Sequence, residues 1–188
     1  MTRVAIPHWN IAGVIPPVNS ARGNSSDRSP YPVSLLDLVE RFSTSPERMK
    51  ILDGLLRCRA ALHGLGLTQG FQWLNGSFLE HVEKLEKCSP RDIDVVTFYH
   101  LPPGETQRSL IEKNATLFDL QQSKNIYFVD HYLQQMRSDQ LERLVTKSVY
   151  WYSMWSHRRD KSWKGYLQIN LAPDEDAAAR TGLDESSL

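Results

Sequence analysis

Between Ser45 and Gly66, apolar residues recur at intervals of four and three, which places them on one face of a helix. This stripe consists of Ile51, Leu55, Cys58, Leu62 and Leu65. Ser45 followed by Pro46 favours a helix start, because the serine hydroxyl accepts an orphan amide hydrogen and proline suits the first turn. Gly64 and Gly66 favour its end. The pattern therefore predicts one long helix with a buried face.

The rest of the central chain alternates between strand-like and helix-like segments. Strands are predicted at residues 71–74, 92–99, 125–130 and 163–171, where Val, Ile and aromatic residues concentrate. Further helices are predicted at residues 34–42, which Ser34 caps, at 105–121, and from Ser138 to about residue 157. Helices interleaved with strands indicate an α/β or α+β domain, with a small mixed sheet flanked by helices.

The two ends of the chain differ from this central domain, which we place at residues 34–171. Residues 1–33 hold five of the ten prolines and predict an extended arm. Its apolar side chains are expected to dock on the core: Ile6, Trp9, Ile11, Val14 and Ile15. Residues 172–188 carry five acidic side chains against one arginine, which favours a frayed, solvated tail.

Composition narrows the function classes. The chain has 22 Lys plus Arg and 22 Asp plus Glu, and this balance argues against a general electrostatic grip on duplex nucleic acid, although a local basic patch stays open. Its two cysteines are too few for a disulfide framework. No apolar run approaches the length of about 18 residues that a membrane helix needs. The N-terminus shows no apolar signal segment, so we expect a cytoplasmic location without membrane association.

Candidate chemistry lies in two segments at the ends of predicted strands. Asp92 and Asp94 alternate along one strand, so their carboxylates project side by side. Two parallel carboxylates repel each other, and a hard divalent cation such as Mg²⁺ relieves this repulsion. Gly76 allows a triphosphate to approach the backbone closely, and the Ser77 hydroxyl and nearby amides can bond phosphate oxygens.

A strand ending in Gly-Ser, followed by Asp-Ile-Asp-Val on the next strand, resembles the signature of the nucleotidyltransferase superfamily of DNA polymerase β type. The stretch from Gly70 to Phe98 also looks like a small bacterial family of unknown function that carries this core. The resemblance implies a polymerase β-like core over residues 34–171. It implies that Gly76 and Ser77 hold nucleotide phosphates and that Asp92 and Asp94 coordinate the metals.

Two departures from the superfamily pattern stand out. Fourteen residues separate Ser77 from Asp92, and a charged helix at residues 80–87 absorbs this length. The superfamily usually places a third carboxylate on the following strand, where this sequence has Asn125. Asp130 is the alternative ligand. Because the two residues are five apart in a strand, at most one of them joins the site without a bulge.

Cations near the end of the helix that starts at Ser138 have two interpretations. Arg158 and Arg159, together with Lys164, are candidates for gripping nucleotide phosphates, since guanidinium groups bind phosphate bidentately. The other interpretation is that His157 and the two arginines complement the helix dipole and bond the last carbonyls.

The sequence and the resemblance together imply a nucleotidyltransferase dependent on Mg²⁺ or Mn²⁺ that transfers a nucleoside monophosphate from a nucleoside triphosphate to a hydroxyl group. A protein, an RNA end and a small molecule all stay open as the acceptor, as does a homo-oligomer. Small proteins of this superfamily often modify a toxin partner, which suggests a toxin–antitoxin or phage-defence setting. The alternative function is a catalytically weak module of the same fold that binds a nucleotide or a protein.

Overall fold

The computed structural model describes residues 4–186, and its centre is a five-stranded mixed sheet. The strands are β1 (Tyr31–Pro32), β2 (Gly70–Asn75), β3 (Ile93–Tyr99), β4 (Val129–Gln135) and β5 (Leu167–Asn170). Their spatial order is β1-β5-β2-β3-β4. Strand β2 runs antiparallel to both β3 and β5, whereas β3 and β4 are parallel and β1 and β5 are parallel. The prediction of a mixed sheet flanked by helices is confirmed.

Eight α-helices surround this sheet within residues 4–186. They are α1 (Leu35–Phe42), α2 (Pro46–Gly64), α3 (Val82–Leu85), α4 (Gln107–Lys113), α5 (Ala115–Phe118), α6 (Leu120–Tyr127), α7 (Leu141–Trp155) and α8 (Asp176–Glu185). The predicted caps of the first two helices are confirmed, because the Ser34 hydroxyl accepts from the Asp37 amide and the Ser45 hydroxyl accepts from the Arg48 amide. No helix within residues 4–186 is both long and apolar enough to cross a bilayer.

Alternate residues of β4 face opposite layers of helices. His131 of β4 lies against Cys58 of α2 on one face, with the sulfur 3.9 Å from the ring nitrogen. On the other face Tyr132 packs against Trp151 of α7, with ring centroids 4.7 Å apart. Trp151 and Trp155 are buried, so this face of α7 belongs to the core. The sheet is therefore enclosed by helices on both faces.

The segment between β3 and β4 differs from the sequence prediction. One helix was expected at residues 105–121 and a strand at 125–130, but the chain forms three short helices, and β4 begins only at Val129. The Asp119 carboxylate caps α6 by accepting from the Gln122 amide, and α6 continues through Asn125 to Tyr127. Phe128 then adopts a left-handed conformation that ends it. The predicted strand position of Asn125 is therefore wrong.

The N-terminal arm packs on the domain largely as predicted, with Val14 and Ile15 buried and Ile6 and Trp9 partly buried against the core. Ile11 is the exception, since its side chain is fully exposed at a turn. Residues 1–3 of the arm lie outside the described residues.

The acidic C-terminal segment is not frayed between residues 176 and 185. It forms α8, which buries Ala179 and Leu183 against the domain. The Asp176 carboxylate also accepts two hydrogen bonds from the buried Arg59 guanidinium, which fixes the start of the helix. The spacing of the apolar residues on α8 therefore decides its structure more than its acidic composition does. Residues 187–188 lie outside the described residues.

Candidate functional site

A cleft of about 820 Å³ opens where β2, β3 and β4 meet the end of α7. Among its lining residues are most of those predicted from sequence: Gly76, Ser77, Asp92, Asp94, Asp130, Arg158, Arg159 and Lys164. Asn125 does not line it; the Asn125 amide oxygen accepts from Gln121 on the exposed side of α6. The structure therefore gathers the predicted residues into one place and puts Asp130, rather than Asn125, beside the two aspartates.

Strand register brings the acidic side chains together. Asp94 of β3 pairs with Asn75 of β2 on one side and with Asp130 of β4 on the other. Directly paired residues project on the same face of a sheet, so these three side chains form a row facing the cleft. Asp92 lies two residues before Asp94 and joins them at the edge. We call Asp92, Asp94 and Asp130 the acidic cluster.

The acidic cluster is electrostatically crowded. The pKa of Asp94 is raised from 3.8 to about 6, chiefly by burial and further by the negative charges of Asp130 and Asp92. Lys124 at the end of α6 offsets part of the charge, since its ammonium nitrogen lies 2.8 Å from Asp92 Oδ2 and 3.4 Å from Asp130 Oδ2. The hydrogen bond to Asp92 is the main reason why the pKa of Lys124 is raised.

Asn75 contributes a buried oxygen that has no partner. Its amide nitrogen donates to the Trp155 carbonyl at 3.2 Å, and this bond fixes which end of the amide is the donor. The Asn75 side-chain oxygen accepts no hydrogen bond from any residue between 4 and 186, although the residue is only 2% exposed. A buried acceptor without a partner costs free energy, so its presence beside Asp94 points to a ligand.

The turn after β2 brings the backbone against Asp94. Gly76 has φ of 90°, and a Cβ atom there would lie 3.1 Å from Asp94 Cγ. Ser77 follows it at an exposed position and starts a short 3₁₀ helix, Ser77–Leu79. The carboxylate and the turn therefore share one small space, which only glycine leaves open at this position.

Buried side chains support this turn from behind. The fully buried Arg48 donates to the Phe78 carbonyl at 2.6 Å and to the Glu80 carbonyl at 2.7 Å. Trp9 of the arm donates to the Leu79 carbonyl at 2.7 Å. The backbone of residues 78–80 is thus held by hydrogen bonds from α2 and from the arm.

The cations opposite the acidic cluster fall into two groups. Lys164 donates to the buried Glu80 carboxylate at 2.7 Å, and Arg158 binds the same carboxylate at 3.0 Å. Arg158 also reaches Glu86 at 3.3 Å. Arg159 lines the cleft at an exposed position and makes no ion pair within the described part of the chain. The predicted phosphate-binding cations therefore differ, because two are held by carboxylates and one is free.

The helix-end interpretation fits His157 but not Arg158. The His157 ring nitrogen Nδ1 lies 3.1 Å from the Ser153 carbonyl, in the last turn of α7. Arg158 instead turns toward Glu80 and Glu86.

Sequence reasoning missed three residues of the site: Asn75, Lys124 and Glu80. Asn75 precedes Gly76 directly, so strand alternation already places it on the face of the cleft. Lys124 was missed because a strand was predicted to begin directly after it, at residue 125, whereas Lys124 lies on α6. Glu80 leaves no signal in the sequence, because its partners Lys164 and Arg158 lie more than 75 positions away.

The donor set of the cleft suits a hard cation. In the conformation described for residues 4–186, no three His, Cys, Asp or Glu side chains are arranged to hold a metal ion. Lys124 stands between Asp92 and Asp130, where a shared ion would compete with it. The groups themselves are three carboxylates and the unpartnered Asn75 oxygen, and oxygen ligands of this kind are those that Mg²⁺ and Mn²⁺ bind. The types of donor, though not the arrangement described for residues 4–186, therefore suit a divalent cation.

Fold and cleft define a mixed α/β protein with an acidic cleft at the end of three adjacent strands. Residues 7–170 match the model of a family of unknown function, DUF6932. The chain therefore belongs to that family. The matched range includes all five strands and every residue of the cleft but excludes α8. No curated protein and no solved structure matches the chain.

Proposed function

We propose that the cleft is a metal-dependent nucleotidyltransferase site. The observation that carries the proposal is the row formed by Asn75, Asp94 and Asp130 on three adjacent strands, with the Gly76 turn pressed against the middle carboxylate. Such a row concentrates oxygen ligands next to backbone that a phosphate can approach. The resemblance of the Gly-Ser and Asp-x-Asp segments to the polymerase β superfamily supports the same assignment.

In the proposed reaction a hydroxyl oxygen of the acceptor attacks the α-phosphorus of a nucleoside triphosphate. A bond forms between these two atoms, the bond from the α-phosphorus to the bridging oxygen breaks, and pyrophosphate leaves. A carboxylate of the acidic cluster accepts the hydroxyl proton. Asp92, Asp94 and Asp130 would hold Mg²⁺ or Mn²⁺, which would supply positive charge to neutralise the reacting phosphate.

The remaining groups bind and orient the nucleotide. Gly76 and Ser77 face the β and γ phosphates, with Ser77 offering a hydroxyl and the turn offering amide hydrogens. Arg159 is the best candidate for binding phosphate, because its guanidinium has no carboxylate partner among the described residues. Lys164 and Arg158 act mainly through their positive potential, since Glu80 already holds both.

A nucleotide-binding module without catalysis is the second candidate. The ion pairs from Lys124 to Asp92 and Asp130 favour it, because they neutralise part of the acidic cluster without any metal. In this version the cleft binds a nucleotide through the Gly76 turn and the basic wall, and no bond is broken.

Two measurements separate these candidates. Titration of the full chain with ATP, GTP, CTP and UTP, each with and without Mg²⁺ or Mn²⁺, tests for metal-dependent binding. Incubation with α-labelled nucleotides and a cell lysate, with the lysate treated afterwards by protease or ribonuclease, tests for transfer and for the acceptor class. Labelling by the natural chain that is lost in the Asp94→Asn variant supports the nucleotidyltransferase. Metal-independent binding without labelling supports the module, and absence of binding rejects both.

A further inference from the structure

Lys124 makes an unusual pair of contacts for a lysine in a candidate metal site. Its ammonium nitrogen lies 2.8 Å from Asp92 and 3.4 Å from Asp130, so one positive charge is shared by two of the three carboxylates. A divalent cation bound by these carboxylates would meet the ammonium group at close range. The two cations would compete for the same negative charge, and their like charges repel.

The ammonium group leaves part of the site unsatisfied. No hydrogen bond from a residue between 4 and 186 reaches the Asp94 carboxylate, and the nearby Asn75 oxygen also lacks a partner. One positive charge against three carboxylates leaves the acidic cluster with an excess of negative charge. Lys124 is thus a partial substitute for a cation of higher charge, which would also engage Asp94 and Asn75.

The Lys124 side chain can also move away from the two carboxylates. It is 40% exposed and extends from the last turn of α6, so it can turn into solvent without moving the backbone. The second lysine of the cleft differs in this respect. Lys164 is only 8% exposed and is bonded to the equally buried Glu80 carboxylate. Of the two lysines of the cleft, one is therefore replaceable and the other is fixed.

We propose that Lys124 is a built-in competitor of the divalent cation. Its ammonium group occupies the acidic cluster until a metal ion displaces it, and this exchange sets the metal affinity of the cleft. The inference rests on the proposed function, because it takes the acidic cluster as a metal site. Removing this positive charge therefore tightens metal binding, whereas replacing it with another cation leaves the affinity nearly unchanged.

The experiment measures Mn²⁺ binding to the full chain by electron paramagnetic resonance of the free ion, without nucleotide. Lys124→Gln and Lys124→Met both remove the charge, and two variants are used so that a folding defect in one does not decide the result. Lys124→Arg keeps the charge. Lys113→Gln is the matched control, because it removes an ammonium group that pairs with a carboxylate, Glu105, outside the cleft. Circular dichroism verifies that each variant is folded.

We expect the two charge-removing variants to bind Mn²⁺ at least about tenfold more tightly than the natural chain, since loss of a repelling charge within a few ångström is worth that much at the effective dielectric of a protein surface. Lys124→Arg and Lys113→Gln should stay within about threefold of the natural chain. Adding Asp94→Asn to Lys124→Gln should remove the gain, because the added affinity arises at the acidic cluster.

Three outcomes would overturn the inference. Lys124→Gln and Lys124→Met bind Mn²⁺ no more tightly than the natural chain, the gain survives Asp94→Asn, or no variant binds Mn²⁺. Nucleotide binding by the natural chain distinguishes these failures from failure of the proposed function. If Mg²⁺-dependent triphosphate binding is lost in Asp94→Asn but Lys124→Gln changes nothing, the nucleotidyltransferase site stands and only the role of Lys124 is wrong.

Discussion

Both faces of the sheet carry polar residues on β2, β3 and β4, but the hydrogen bonding of these residues differs between the two faces. On the α2 face, Gln72, Thr97 and His131 form a chain of hydrogen bonds, with Gln72 donating to the Thr97 hydroxyl at 2.9 Å and His131 lying 2.7 Å from it. On the cleft face, Asn75, Asp94 and Asp130 lie in a row without bonds among them. The first face satisfies its polar groups internally, whereas the second leaves the Asn75 side-chain oxygen without a hydrogen-bond donor among residues 4–186.

Electrostatics shows the same contrast. His131 is fully buried, and burial lowers its pKa to about 4, so it remains neutral among neutral partners. Asp94 has a pKa raised to about 6, yet at neutral pH it still carries its charge beside two other carboxylates. A satisfied buried network stabilises a fold, whereas an unsatisfied charged row lowers stability and is a candidate functional surface.

The largest expected effect on stability comes from removing Arg59, which bonds to Gln72 on the α2 face. Arg59 is fully buried, binds Asp176 at 2.7 Å and donates to Gln72 at 2.6 Å, so Arg59→Ala leaves several buried groups without partners. We expect the free energy of unfolding to fall by about 3–5 kcal/mol, as measured by urea denaturation.

Arg57→Ala is the control for Arg59→Ala. Arg57 is the same residue type on the same helix, but it is exposed and pairs with Asp53 at the surface, so its loss should cost less than about 1 kcal/mol. Equal losses in the two variants would mean that burial of the Arg59 network does not contribute the stability assigned to it.

The second prediction concerns the cleft face, where removing the charge of Asp94 should raise stability. Because the folded-state pKa of Asp94 lies above its ordinary value of 3.8, its contribution to stability is fully present below about pH 4 and is lost as the pH rises through 6. Asp94→Asn removes the charge and should raise the free energy of unfolding at pH 8 by about 3 kcal/mol. Thermal melts from pH 4.5 to pH 8 should show the gain growing with pH.

Asp53→Asn provides a control of opposite sign for that experiment. Hydrogen bonds from Arg57 and Arg180 hold the pKa of Asp53 below its ordinary value despite some burial, so its carboxylate stabilises the fold at neutral pH. Its replacement should therefore lower the melting temperature at pH 8. If Asp94→Asn lowers the melting temperature as well, charge repulsion in the acidic cluster does not destabilise the fold as described above.

The sequence predicted the fold better in some regions than in others, and the reason is local. Ser45 and Pro46 act on the helix that they start, so the beginning of α2 could be predicted from neighbouring residues. The β4 segment could not, because Ile126 and Tyr127 look strand-like although Asp119 caps a helix that contains them. Short-range capping outweighed apolar composition there.

The candidate site shows the same division. Strand alternation predicted that Asp92 and Asp94 share a face, and strand register brought Asp130 beside them. The pairing of Lys164 with Glu80 depends on tertiary packing between distant segments. No pattern of neighbouring residues encodes such a contact. Which cations of the cleft are free and which are held therefore became clear only from the structure.

The third prediction tests the close contact of the cleft face. Gly76→Ala adds a methyl group about 3.1 Å from Asp94 Cγ at a residue with φ of 90°, so both backbone strain and the contact oppose it. We expect a loss of about 1–3 kcal/mol in urea denaturation and weaker triphosphate binding.

Gly104→Ala separates the two causes. Gly104 has φ of 80°, but a methyl group there meets nothing within 4 Å, so it reports backbone strain alone. Gly76→Ala should cost more than Gly104→Ala, and the excess should shrink when Asp94→Ala is added to Gly76→Ala. An excess that persists without the Asp94 carboxylate would mean that the turn is constrained by some other contact.

The smallest expected effect distinguishes the two candidates for the third acidic ligand. Asp130 pairs with Asp94 in the parallel register of β3 and β4, whereas Asn125 lies on α6 and bonds to Gln121. Asp130→Asn removes one charge from the acidic cluster with little change in volume. Mn²⁺ affinity should fall about tenfold, which corresponds to about 1.4 kcal/mol. Asn125→Asp adds a charge outside the cleft and should leave the affinity within about twofold, because exposed charges are screened by solvent and salt. Isothermal titration at fixed ionic strength gives both values.

Tighter binding by Asn125→Asp together with unchanged binding by Asp130→Asn would place the third ligand on α6, and the row of Asn75, Asp94 and Asp130 would then lose its assigned role. The reverse result would tie metal binding to the three adjacent strands, where the cleft face differs from the satisfied face opposite.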